Sequence, residues 1–220
     1  MTWTSVADIE SPILVIPVGS FEQHGPHLPL DTDTRIAHAL STRIVEAFAP
    51  SAVLGPTITV SASGEHNGFP GTVSIGTEVT IRTFVEICRS ADWSDGVVFV
   101  NGHGGNGEAI ATAHSLITGE GRRALFWSPT AAADDDLHAG RTETSLLLHL
   151  DPSVVERARL EAGNTQPIGE IAPMLRKGGV KSVSTNGVLG DPRSASADHG
   201  RQLFERWLAE LETAIRIWRT

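Results

Sequence analysis

Residues 19–33 (GSFEQHGPHLPLDTD) concentrate side chains that bind divalent metals. Glu22 and His24 stand two apart, so on extended backbone both point to one side, and Pro26 and Pro29 keep the segment out of helix. A carboxylate and an imidazole on one side form a metal-ligand pattern. Asp31 and Asp33 repeat the spacing, and either could complete or bridge a site of N and O donors. A polar loop that caps turns and helices would use some of the same residues, but the density of donors favours metal.

Two further stretches carry comparable chemistry. Asn101 to Asn106 (NGHGGN) follows an apolar run, and its glycines let the backbone approach a ligand closely around His103. It lacks the glycine order and the Lys and Ser/Thr of a phosphate loop. A tight turn with an incidental His103 is the structural alternative. His138 to Ser145 (HAGRTETS) opens an apolar helix that Thr142 or Thr144 can cap. His138 and Glu143 are not needed for that. A neutral imidazole there can shuttle protons, and a first-turn carboxylate can reach a metal. Ser63 to Thr72 (SGEHNGFPGT) reads as a pocket-shaping loop, because Glu65 and His66 would point to opposite sides of an extended chain. His38, His114, His149 and His199 read as surface or interface residues.

These motifs need elements to position them. Pro12 to Val18 is a nearly continuous apolar run, the mark of a buried parallel strand. From Asp33 as N-cap, Ile36, Ala37, Leu40, Ile44, Val45 and Phe48 keep helical spacing until Pro50. A strand over Val53 to Val60, a loop over Ser61 to Gly76 and a helix over Val79 to Ile87 follow. Gly96 to Val100 is the clearest strand, and Glu108 to Ile117 the helix after it. Ala124 to Trp127 forms a fourth strand, followed by an acidic loop, Asp134 to Asp136, a short helix around Thr144 to Leu150 and a last helix from Asp198 to Trp218. Alternating strands and helices predict a mostly parallel sheet covered on both faces, with ligands at the carboxyl ends of the strands. The loops 19–33, 61–72, 101–106 and 128–143 are therefore expected to converge.

The 220 residues suit one domain spanning 1–220, and 40% apolar with 20% charged residues is a globular composition. A net charge of −9 with no basic patch disfavours nucleic acid and anionic lipid as partners. The sole cysteine, Cys88, cannot form an intrachain disulfide, and the first 15 residues have no signal-peptide pattern. A cytoplasmic location and no membrane association are expected.

Taken together, Glu22 to Pro29 with Asp33, Phe69 to Thr72, Asn101 to Asn106, and His138 to Gly140 with Glu143 to Ser145 resemble the creatininase (creatinine amidohydrolase) family. Leu30 to Ala37 and Asn186 to Pro192 resemble a branch of it whose members trim a ribosomally made redox-cofactor precursor peptide. The resemblance implies a three-layer α/β sandwich and a homo-oligomer, hexamer or octamer. It also implies two divalent metals per subunit, Zn2+, Fe2+ or Mn2+, activating water for amide hydrolysis. It places metal ligands at Glu22, His24, His103 and Asp33, the last as bridging carboxylate, and catalytic roles at His138 and Glu22. Creatininase carries a Glu two residues after the histidine of the third motif. Here that position is Gly105, and Glu143 is the expected replacement ligand. Arg141 stands where many relatives carry Glu. Asp31 and His27 are expected to orient ligands from behind. No G-x-S-x-G elbow competes. The alternatives are hydrolysis of a small cyclic amide or formamide, a non-catalytic metal-binding subunit, and a two-metal phosphatase, for which a phosphate-gripping Lys/Arg cluster is missing.

Overall fold

A computed structural model describes residues 1–132 and 135–220. The elements in chain order are α1 (Trp3–Ala7), β1 (Ile13–Val18), α2 (Thr32–Ala47), β2 (Ala52–Leu54), α3 (Gly76–Ser90) and β3 (Gly96–Asn101). There follow α4 (Gly107–Gly119), β4 (Ala124–Trp127), α5 (Arg141–Leu150), α6 (Ile168–Gly178) and α7 (Ala197–Arg219). Short 3-10 turns join several of them.

All four strands are parallel, in the order β2-β1-β3-β4. Strand alternation divides the core into two layers. Ile13 and Val15 of β1 and Val98 and Val100 of β3 pack against α2, α5 and α7, with Leu40, Leu147 and Leu211 at the contact. Leu14, Ile16 and Val18, with Val97 and Phe99, face α3 and α4 through Phe84, Ala113 and Ile117. Helices on both faces of a parallel sheet make the three-layer α/β fold. Chain order reverses between β1 and β3, which pair from Ile13↔Gly96 to Val18↔Asn101. The loops leaving those two strands diverge there and open a crevice at their carboxyl ends, the switch point where such sheets bind ligands.

Several boundaries differ from expectation. Strand β2 has three residues, because Gly55 and Pro56 end it, although Ile58 regains one bridge to Val18. Helix α2 starts two residues earlier, with Asp31 at the cap position making no side-chain cap bond. Asp33 therefore lies inside the first turn, free to point elsewhere. Helix α7 is capped by Ser196, whose hydroxyl accepts from the His199 amide. Helices α1 and α6 were not anticipated. Part of the acidic loop, Asp134, lies outside the described residues. Trp127 is core, 7% exposed. Among the described residues no helix is long and apolar enough to cross a membrane.

Candidate functional site

The segment after β1 stays extended, pinned where the Glu22 amide donates to the Leu30 carbonyl (3.0 Å). Glu22 and His24 are both fully buried on its inner side. Asp33 reaches back from α2. Its Oδ1 lies 2.9 Å from His24 Nε2, and its Oδ2 accepts from the Ser20 hydroxyl (2.7 Å) and lies 3.2 Å from His103 Nδ1. His103 leaves β3 into the glycine turn, donates from Nε2 to the Ala62 carbonyl (3.0 Å), and so presents Nδ1 inward, 3.2 Å from Glu22 Oε1. Helix α5 supplies Glu143, 3.9 Å from His24 Nε2. His138 donates from Nε2 to the Gln23 carbonyl (2.8 Å), leaving Nδ1 3.8 Å from Glu22 Oε1.

Three groups of donor atoms are close enough to hold an ion: Glu22, Asp33 and His103; His24, Asp33 and Glu143; and Glu22, His24 and His138. The first two share only Asp33. Both carboxylate oxygens of Glu22 are buried with no hydrogen-bond partner. A charged group so placed costs several kcal/mol, on the order of 2–7 or more, unless something compensates it. A set of carboxylates and imidazole nitrogens converging on such an orphan suits a hard or borderline divalent cation.

Two residues not expected as contributors also face this centre. His66 Nε2 lies 3.3 Å from Glu22 Oε1, and Glu65 Oε1 lies 3.4 Å from His103 Nε2. They sit in a 3-10 turn, Gly64–His66, rather than extended chain. Adjacent side chains there diverge by about 120°, so both reach one centre from the side. The flanking Gly64 and Gly68 were the turn signal. Gln23 was also missed. Its amide lies 2.9 Å from His66 Nδ1 and 3.1 Å from the Gly187 carbonyl.

Asp31 and His27 divide. Asp31 bonds Arg35 Nε at the surface (2.8 Å) and touches no member of the cluster. That corrects its expected role: two residues earlier than expected, the cap position faces solvent. His27 Nε2 lies 2.9 Å from the Thr144 hydroxyl, and burial beside His24 pushes its pKa down to about 4. Phe69 is half-buried under Lys181, 5.4 Å away. Of the other histidines, His38 and His114 are exposed, and His149 and His199 half-buried. Ala139 adopts φ 52°, strained for a residue with a Cβ, and its amide donates to Glu143 Oε2 (2.6 Å). The bend thus aims that carboxylate.

The electrostatics describe a site built around positive charge. Burial opposes charging His24, yet Asp33, Glu143 and Glu22 outweigh it and raise the pKa to about 10. His103 is raised well above its usual value against the same burial, by Glu22 and Asp33. Burial pushes Glu143 up to about 7 despite His24. His138 is held well below the imidazole range by burial and by its neighbours His24 and His66. Cys88 is pushed by burial to about 12, which makes it inert as a nucleophile.

These shifts set a pH dependence for metal-free protein. The folded pKa values of His24 and His103 exceed the unfolded value of 6.5, so their stabilisation is complete below it and is lost as pH rises through the folded values, about 10 for His24. Chelator-treated protein should lose Tm across that window. Metal-loaded protein should not, because ligation replaces the protons. A flat profile for the chelated form would contradict this electrostatic description.

The cluster forms the floor of a cavity of about 290 Å³, whose opposite wall is apolar: Leu137, Ile168, Leu175, Val180 and Leu189. The fold resembles a solved structure described as "Creatininase Mn", with a TM-score of 0.79 and 25% identity over 98% of this chain and 95% of that one. Two curated relatives are similar along most of their length. A mycofactocin precursor peptide peptidase of Mycolicibacterium smegmatis is 51% identical over 212 residues, covering 94% of this chain and 85% of the relative. A creatinine amidohydrolase of Pseudomonas putida is 26% identical over 234 residues, covering 93% and 88%. The chain thus has a three-layer α/β fold and is a hydrolase of amide bonds. It belongs to the creatininase family, whose description, creatinine amidohydrolase, matches residues 1–215.

Proposed function

We propose that this protein is a two-metal peptidase that trims the C-terminus of the mycofactocin precursor peptide. The observation that carries the metal reading is the pair of orphaned Glu22 oxygens among donor groups joined through Asp33. Glu22, Asp33 and His103 would hold one ion, and His24, Asp33 and Glu143 the other, Zn2+, Fe2+ or Mn2+ suiting the donor set. Divalent ions held there supply Lewis-acid polarisation of an amide carbonyl and a water acidic enough to attack near neutral pH.

The chain's own residues do the rest. Glu22 stays ionised against its burial because His103, with Nδ1 3.2 Å from Oε1, holds its carboxyl below the usual value, and it forms the floor of the site. His138 is neutral at rest with its free Nδ1 turned inward, so it can take a proton from the attacking water and return it to the departing nitrogen. Gln23 holds His66 and the 187 turn in place. The apolar wall opposite excludes water and offers a surface to the side chains flanking the scissile bond.

The peptide reading is supported by about half-identity with the mycobacterial peptidase along nearly the whole chain. Assembly as a homo-oligomer belongs to the same proposal, and exposed Trp3 and Ile217 are apolar surface available for it. Incubating the metal-loaded protein with the modified precursor peptide should release a short C-terminal fragment, read by mass spectrometry. Intact peptide alongside rapid ring opening of creatinine would reverse the choice in favour of a small cyclic amide.

A further inference from the structure

Glu65 lies on the outer edge of the cluster and enters none of its ligand groups. Its carboxylate approaches the outward nitrogen of His103, Nε2, at 3.4 Å, while the same nitrogen donates to the Ala62 carbonyl. The space it fills exists because residue 105 is glycine. A Cβ placed on Gly105 would overlap both Glu65 Oε1 and His103 Nε2. A second glycine makes room on the other side: Gly179, at φ 67°, closes α6 directly against the Glu65 carbonyl, where a Cβ would overlap it. The turn is also tied to the His103 loop at its base, since the Ala62 amide donates to Asn106 Oδ1 (3.2 Å). Two glycines and two hydrogen bonds thus hold one carboxylate against one imidazole, on the side away from Glu22 and Asp33.

We infer that Glu65 is a positioning residue acting through His103: beside the Ala62 carbonyl, its carboxylate holds the outward Nε2–H and so keeps the ring with Nδ1 inward, in a niche that a side chain at position 105 would close. This rests on the reading of His103 as a metal ligand. A carboxylate behind a ligating imidazole fixes ring orientation and raises basicity, and its removal typically lowers metal affinity or activity about 10–100-fold.

The test is divalent-metal affinity, measured by chelator competition on Glu65→Gln and Glu65→Asp, beside the Tm of each chelated protein. Both variants should keep the metal-free Tm and lose affinity about 10–100-fold, with kcat falling and KM little changed. Glu65→Asp keeps the charge but withdraws it from contact, so it should resemble the Gln variant. Wild-type affinity in both, or in the Asp variant alone, would overturn the inference, as would a raised KM with unchanged affinity, which would make Glu65 a substrate contact. A wild-type protein that binds no metal would instead defeat the two-metal reading.

Discussion

Asp33→Ala is expected to abolish hydrolysis and metal retention together. The two inner ligand groups meet only at this side chain, its two oxygens facing His24 and His103 separately. Removing it dissolves both at once and leaves two imidazoles without the carboxylate that orients them. The loss should exceed the roughly 10–100-fold that follows removal of an outer partner. Asp31→Ala is the matched control. Asp31 is two residues away and bonds Arg35 in a half-exposed pair of a kind contributing about 0.3–0.5 kcal/mol, so activity and metal content should stay near wild type. Equal effects of the two substitutions, by metal analysis and by rate, would show that Asp33 does not join the groups.

His138→Gln should lower kcat by about 10²–10⁴ while the metals stay bound, the range for loss of a positioned acid–base group. Its Nε2 is committed to the Gln23 carbonyl, and burial with His24 and His66 nearby keeps the ring neutral, so Nδ1 is the one nitrogen available to carry a proton. The same Nδ1 falls within a possible third ligand group with Glu22 and His24. Metal content separates the two roles. Loss of an ion along with activity would make His138 a ligand.

Much of this was legible in sequence because chemistry and fold left strong local marks. Strands β1 and β3 are apolar runs buried on both faces, which periodicity detects directly. Glu22, His24, His103 and Glu143 could be singled out because each lies just beyond a strand or in the first turn of a helix, where doubly wound sheets place ligand groups. Asp33 could be read as a cap or a ligand, since both uses favour Asp at a helix start, and only the two-residue advance of α2 separates them. Glu65 and His66 were assigned to opposite sides because the 3-10 turn that brings them round is made by flanking glycines rather than by a hydrophobic pattern. Helix α6 left a weak mark: it buries only Ile171 and contains Pro173.

The central claim is that paired divalent ions, held by these side chains, enable the hydrolysis. Metal content per chain, measured on purified protein alongside amide hydrolysis before and after chelation, tests it most directly. Close to two ions per chain are expected, with activity lost on their removal and restored by Zn2+, Mn2+ or Fe2+. Full hydrolysis by metal-free protein would contradict it.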